Sequence, residues 1–155
     1  MAIATTISNY LADHDIAYDV LTHPHTMTSS ESAQASHVPG ARLAKSVVLE
    51  DEDGYVMVVL PSDRHVDLGE LHRLLNRKLG LASEHELVGL FSDCEFGALP
   101  PLGHVYGIET LVDEAIAEQA EVWFEAGDHE QLIHVTHEDF VALMGEGFRH
   151  GRFSH

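Results

Sequence analysis

Residues 43–61 read LAKSVVLEDEDGYVMVVLP: an apolar run, an acidic turn closing on Asp53-Gly54, and a second apolar run. Val, Leu, Tyr and Met dominate both arms. Asp-Gly between two such arms is a strong hairpin signal, here with a loop expected to be longer than two residues. Side chains alternate along a strand, so Leu43, Lys45, Val47 and Leu49 share one face and Ala44, Ser46 and Val48 the other. Both faces are apolar beyond Ser46, so the strand is expected inside the fold, covered on both sides. Lys45 is the odd residue, one of only two lysines in the chain. An ammonium beside Val47 and Leu49 needs a partner or the mouth of a pocket, because desolvating it alone is expensive. It is either a strand-end lysine that snorkels to water or a cation aimed into a cleft.

On the N-terminal side of this hairpin, Ile3, Ile7, Tyr10, Leu11 and Ile16 follow the period of an amphipathic helix. Residues 18–21 read as a short strand that His23-Pro-His25 breaks. Thr28-Ser-Ser-Glu31 is a capping-box pattern opening a short helix through about Ala35, and Val38-Pro-Gly40 turns the chain into the hairpin. After Pro61, a helix is expected from near Asp67 to Gly80, and a second capping box at Ser83-Glu-His-Glu86 opens a helix reaching Leu90 or Phe91. The stretch from Cys94 to Gly103 carries two glycines and two adjacent prolines, the composition of a stiff irregular loop. A strand follows over 105–112, then a short helix from an Asp113 cap to Glu118. Strands over 121–126 and 131–136 are joined by Gly127-Asp-His-Glu130, and a last helix runs from a Thr136 cap to Met144. Residues 145–155 have no apolar period and read as a loose tail, which makes 1–144 the domain. Interspersed strands and helices with hairpin-like connections argue for an α+β fold with a mixed sheet.

The chain has 155 residues, enough for one domain with a real core, and 45% of them are hydrophobic. No apolar run approaches the ~20 residues of a membrane span and no secretory leader pattern opens the chain, so a cytoplasmic protein is expected. Eight Lys+Arg stand against 26 Asp+Glu, a formal charge of −18. Six of the eight (Arg42, Lys45, Arg64, Arg73, Arg77 and Lys78) fall in one segment, and none lies between Leu79 and Phe148. A general nucleic-acid surface is excluded on that count, because phosphate neutralisation needs a cationic patch; any contact must be local to the basic segment.

Cys94 is the single cysteine, so no internal disulfide can form, and its neighbours Asp93 and Glu95 raise a thiol pKa, the wrong direction for a nucleophile. The 13 histidines raise the question of metal, but His23-x-His25 is interrupted by Pro24, and His134 and His137 straddle a strand end and a helix start. No HExxH occurs, and no cysteine clusters with the histidines; neither metal nor cofactor is expected. Phe96-Gly-Ala-Leu-Pro-Pro-Leu-Gly103 is either a rigid crossover or a loop whose backbone N–H groups hold a carbonyl or carboxylate oxygen. Gly127-Asp-His129 is either a hairpin turn or a loop presenting His129 at a cleft.

Together these pieces resemble the YbaK/prolyl-tRNA-synthetase-associated domain family of aminoacyl-tRNA deacylases. The matching residues are Tyr18 to His23 with Thr28 and Glu31, then Ala44-Lys-Ser-Val-Val-Leu49. The loop Gly97-Ala-Leu-Pro-Pro101, Asp113 after a strand, and Phe124-Glu-Ala-Gly127 follow in order. The resemblance runs from about Ile3 to Met144. It implies a single α+β domain around a mixed, barrel-like sheet, and hydrolysis of the ester between a mischarged amino acid and the terminal adenosine of tRNA. Carried over, Lys45 matches the family lysine that positions the acyl-adenosine end, the catalytic role. Gly97, Ala98, Leu99, Pro100 and Pro101 match the loop whose backbone orients the aminoacyl group. Gly127 lines the same cleft, and His129, His23 and Thr28 are the further substrate-binding candidates.

The cysteine-clearing branch carries Gly-Gly-x-x-Gly and an Asp where this chain has Ala126-Gly-Asp-His-Glu130 and Leu132, and the alanine-clearing branch carries a His-Pro that His129 lacks. The amino acid removed is therefore not readable. The implied partner is the acceptor end of an aminoacyl-tRNA, met alone or with a synthetase that holds the tRNA, by a monomer or weak homodimer. Two other readings are a small-molecule binding or regulatory module that keeps the pocket without tRNA chemistry, and a small acyl-ester or amide hydrolase.

Overall fold

The computed structural model describes residues 3–95, 97–145 and 148–155. In chain order the elements are α1 (Thr5–Asp13), β1 (Asp19–Thr22), α2 (Ser29–Ser36), β2 (Leu43–Asp51), β3 (Gly54–Pro61), α3 (Leu68–Leu75) and β4 (Gly80–Leu81). They continue as α4 (Glu84–Leu90), β5 (Glu109–Asp113), α5 (Glu114–Ala117), β6 (Glu121–Glu125), β7 (Gln131–Thr136), α6 (His137–Met144) and β8 (Arg149–Gly151). Helix starts follow the side chains that cap them. Thr28, Asp67, Ser83, Asp113 and Thr136 each accept a backbone N–H of the first turn, and Ser83 and Glu86 form a reciprocal box.

The hairpin forms as expected, with Ala44 opposite Pro61 and Asp51 opposite Gly54. That register leaves only Glu52 and Asp53 in the turn, so the loop is shorter than the sequence reading held. The Asp51 carboxylate tightens it by accepting the Asp53 N–H at 2.9 Å, and Gly54 supplies a φ of +130°. α3 stops at Leu75, short of Gly80, because Asn76 turns left-handed (φ 54°) and caps it. The chain after Gly103 first makes a single 3₁₀ turn to Tyr106, so β5 begins at Glu109 rather than 105.

The eight strands form one mixed sheet in the order β1-β7-β6-β2-β3-β5-β8, with β4 added to β2. β2 pairs antiparallel with β3 and parallel with β6, and β3 pairs parallel with β5. Both faces of the central hairpin are covered, as its alternation requires. Ala44, Val48, Met57 and Val59 enter a large core with Ile7 and Leu11 of α1, Phe124, Ile133, and Phe140 and Leu143 of α6. Leu49, Val56, Val58 and Leu60 face the other way onto Leu71 of α3, Leu111 and Phe153. Leu43 packs under Ala33 of α2 and Val38.

The end of the chain departs from the sequence reading. Residues 145–155 were expected to form a loose tail, yet β8 extends the sheet beside β5, with Leu111 opposite Arg149. Phe153 is fully buried, its N–H donates to Asp113 Oδ2 at 2.9 Å, and His65 and His155 exchange backbone hydrogen bonds. One deeply buried ring and a three-residue strand are too short to register as periodicity in the sequence. No helix among the described residues is long and apolar enough to cross a membrane.

Candidate active site

β2 has a different neighbour at each end of its outer edge: β6 pairs with Leu43 and Ala44, and β4 with Leu49 and Glu50. Lys45 to Val48 have no strand partner on that side among the described residues. Backbone direction alternates along β2. Ser62 N–H donates to Leu43 O toward β3, whereas Ala82 N–H donates to Val48 O on the outer side. Even-numbered residues therefore aim their N–H and C=O outward, so both polar groups of Ser46 point into the gap. A cavity of about 240 Å³ fills this gap, lined by Ser46, Val47, Leu81, Leu87, Gly97 and Leu99 among others.

The Gly97–Pro101 loop is fixed against this edge from two sides. The Ser46 hydroxyl donates to Leu99 O at 3.1 Å. Behind the loop, Gly127 N–H donates to Ala98 O at 2.9 Å, and Glu95 N–H donates to Gly127 O at 2.8 Å. Gly97 has a φ of +86°, and a Cβ there would stand 2.9 Å from Met27 O and 3.1 Å from His129 Cε1. Glycine is thus required twice, by backbone conformation and by space. Gly97 and Leu99 line the cavity, while Ala98, Pro100 and Pro101 are buried. Gly127, at φ +110° and packed on Ala4, is buried and pins the loop rather than lining this cavity. The Phe96 end of the expected loop lies outside the described residues.

Lys45 alternates with Ser46 and so leaves β2 on the opposite face, toward the side where α2 and Asp63 lie. It is half-buried, and its pKa is lowered by that burial, with Asp63 acting in the opposite sense. Among the described residues it has no ion-pair or hydrogen-bond partner. Five arginines differ: Arg42 pairs with Glu121, Arg73 with Glu70, Arg77 with Asp51, Arg149 with Glu109 and Arg152 with Glu114. Lys45 and Ser46 are consecutive residues of an unpaired strand edge, so a ligand lying along that edge meets both faces.

The histidine candidates separate. His129 is buried beside Gly97, its ring 5.4 Å from that of His25, and Glu125 Oε1 lies 3.8 Å from its Nδ1. Glu125 is buried too and accepts the Ser32 hydroxyl at 2.6 Å, which in turn contacts Thr26 Oγ1 at 2.6 Å. This polar network joins residues about a hundred positions apart, so no local pattern announces it. Its endpoints, Thr26 and His129, flank the loop glycine through Met27 and the His129 ring. His23 is buried, and its Nδ1 lies in hydrogen-bond contact with Pro24 O at 2.7 Å. Thr28 is exposed and serves as the cap of α2. Neither His23 nor Thr28 lines the cavity.

Among the described residues no side chain near the cavity is primed as a nucleophile. The Cys94 thiol is pushed up to about 12, first by burial and then by Asp93. Ser46 is committed to Leu99 O, and Ser32 to Glu125. Among the described residues no three His, Cys, Asp or Glu side chains gather as metal ligands would.

The site thus combines an α+β scaffold, a gap along the outer edge of β2, a partly desolvated lysine and a glycine-fixed loop. Residues 23–143 match the family described as the aminoacyl-tRNA editing domain, and the chain belongs to that family. Among similar proteins, the proline–tRNA ligase of Thermosipho africanus is 31% identical over 81 residues, 52% of this chain and 14% of the ligase. The proline–tRNA ligase of Thermosipho melanesiensis is 30% identical over 106 residues, 67% of this chain and 18% of the ligase. The chain thus spans less than a fifth of either ligase's length. A solved structure assigned as a trans-editing enzyme for prolyl tRNA synthetase superposes with a TM-score of 0.83 at 26% identity, covering 98% of this chain and 96% of that one.

Proposed function

We propose that this chain acts in trans, hydrolysing the ester of a mischarged amino acid on tRNA at the open edge of β2. The observation that carries this reading is Lys45, an ammonium made less stable by burial and left without a carboxylate in contact. Such a group gains most from an anionic or oxyanion-bearing ligand. In the proposed reaction water adds to the ester carbonyl carbon and the carbonyl oxygen takes up the electron pair. The tetrahedral intermediate then expels the ribose oxygen, which leaves with a proton. Lys45 stabilises the developing negative charge or the neighbouring phosphate. The backbone of the Gly97–Pro101 loop orients the aminoacyl group, and Gly127 and His129 hold that loop. No protein nucleophile is needed, because a held water or the substrate's own hydroxyl serves.

The charge of −18, with five of the eight basic residues already paired to carboxylates, favours recognition confined to the acceptor tip. A synthetase partner then holds the body of the tRNA. The same charge favours, as second reading, a binding module without turnover. Deacylation of a panel of mischarged tRNAs, with and without prolyl-tRNA synthetase, separates the two. Lys45→Ala should lower kcat/KM by roughly 10²–10³-fold, the scale of losing one charge-stabilising donor. Its stability should hold or rise, since a half-desolvated charge has gone. Lys45→Arg should rescue poorly, because a planar fork does not replace a compact ammonium. A Lys45→Ala protein that deacylates at the wild-type rate removes this residue from the mechanism.

A further inference from the structure

His65 and His155 stand ninety positions apart in the sequence and meet in the folded chain. The His65 N–H donates to His155 O at 2.8 Å, and the His155 N–H donates to His65 O at 2.9 Å. With the Val66–Ser154 bridge beside them, they form a short antiparallel ribbon that ties the connector after β3 to the end of the chain. Residues bonded in this way lie directly opposite each other, and their side chains leave on the same face. The two imidazole rings accordingly face one another, 5.9 Å between centroids and inclined by 44°. Both residues are exposed. Other histidines have a ring nitrogen committed: that of His14 to Tyr10 O, of His137 to Gln119 O, of His134 to Asp19 and Glu121, and of His150 to Glu114. Among the described residues, His65 and His155 are the one facing pair of imidazoles whose ring nitrogens have no hydrogen bond or ion pair.

We infer that His65 and His155 form a two-imidazole site for a divalent late transition-metal ion of the zinc class, and that the ion clips the end of the chain to the connector. The site goes beyond the deacylase reading and does not depend on it. A metal–nitrogen bond of about 2.0–2.1 Å puts the ion roughly 3.2 Å from the centroid of each ring that binds it. Two rings on one ion are then about 5 Å apart at the tetrahedral angle, and about 6.4 Å apart when they stand opposed. The observed 5.9 Å lies inside that span, and exposed side chains reach the tetrahedral value by small rotations about their own bonds. The paired backbones already hold the two donors side by side, which removes most of the ordering cost of binding. Water completes the coordination of an ion that has fewer than four protein ligands. The formal charge of −18 favours a dication at the surface of this chain, and imidazole favours zinc, copper and nickel over magnesium and calcium. No spacing in the sequence reports such a site, because only the ribbon joins its two ligands. An ion that binds the ribbon and not the open chain stabilises the docked end by mass action.

Zinc chloride titrated into the full chain, with magnesium chloride alongside, tests the site through the NMR resonances of the histidine rings and through thermal melts. The rings of His65 and His155 should shift first and together, saturating at one ion per chain, while magnesium leaves them in place. Nickel should bind at least as tightly as zinc. At a zinc concentration about 100-fold above Kd, Tm should rise by roughly 5 °C. His65→Gln and His155→Gln should each weaken binding by about tenfold or more and erase that rise, since one imidazole no longer chelates. His85→Gln, at an exposed histidine of α4, should keep both the binding and the rise. The unfolded chain carries the same histidines and also takes up zinc, which reduces the thermal effect, so the ring shifts of the folded protein decide. Zinc that shifts other rings first, or that binds His65→Gln as tightly as the wild type, overturns the site. So does zinc that moves neither ring below millimolar concentration.

Discussion

Replacing Gly97 by alanine isolates what the loop contributes, because another glycine provides a matched control. Gly97 and Gly54 both hold positive φ, +86° and +130°, so an alanine at either position takes on backbone strain of about 1–3 kcal/mol. They differ in space. A Cβ at Gly54 meets nothing within 4 Å, whereas one at Gly97 stands 2.9 Å from Met27 O and 3.1 Å from His129 Cε1. The first of these neighbours is backbone and the second a buried ring, so the loop itself must move by a few tenths of an ångström. That movement disturbs Leu99, whose carbonyl is anchored to Ser46. A displacement of ~1 Å at a reacting centre costs ~10²-fold in rate, so a fraction of that predicts a loss of roughly 10-fold or more in kcat/KM. Gly54→Ala should lower Tm by a few degrees and leave deacylation intact. Gly97→Ala should lower Tm at least as much and also lose turnover. Both variants are read by thermal melts and by release of amino acid from mischarged tRNA. Wild-type turnover in Gly97→Ala would show that the loop backbone does not position the ester, and equal losses in both variants would reduce the effect to general destabilisation.

The buried ring at the end of the chain predicts that Phe153→Ala costs about 3–5 kcal/mol, a fall in Tm of roughly 10 °C; an unchanged melt would mean that the last segment is not docked. The Arg77 guanidinium holds the Asp51 carboxyl at about 2, below its ordinary value. A depressed carboxylate pKa contributes stability that is present above pH ~4 and is lost as pH falls through about 2. Urea midpoints measured between pH 6 and pH 2 should therefore drop less in Arg77→Gln than in the wild type, and an identical slope would show that the pair is not coupled to folding.

What could be read in the sequence was local, and the reason is physical. The hairpin announces itself because alternation and an Asp-Gly turn act within a few residues, and the helix starts do so because a cap is a contact three residues long. Gly97 was visible as a glycine in a proline-bearing loop, but its necessity comes from Met27 O and His129, which meet it only in the folded chain. The open edge of β2 was invisible for a related cause: Lys45 to Val48 read as an ordinary central strand, and only the different end-points of β6 and β4 leave them without a strand partner on the outer side among the described residues. The basic segment shows the sharpest divergence. In sequence it is a local concentration of charge suited to a phosphate backbone; in space Arg42 is held by Glu121 at 3.1 Å and Arg77 by Asp51 at 2.6 Å. Cations already neutralised by carboxylates offer little to an incoming polyanion, since a new phosphate contact must break an existing pair. Of the six basic residues in that segment, Arg42, Arg73 and Arg77 are taken in this way, which leaves Lys45, Arg64 and Lys78 with no carboxylate ion pair among the described residues. Three such cations suit contact with a short charged segment rather than with the length of a polyanion.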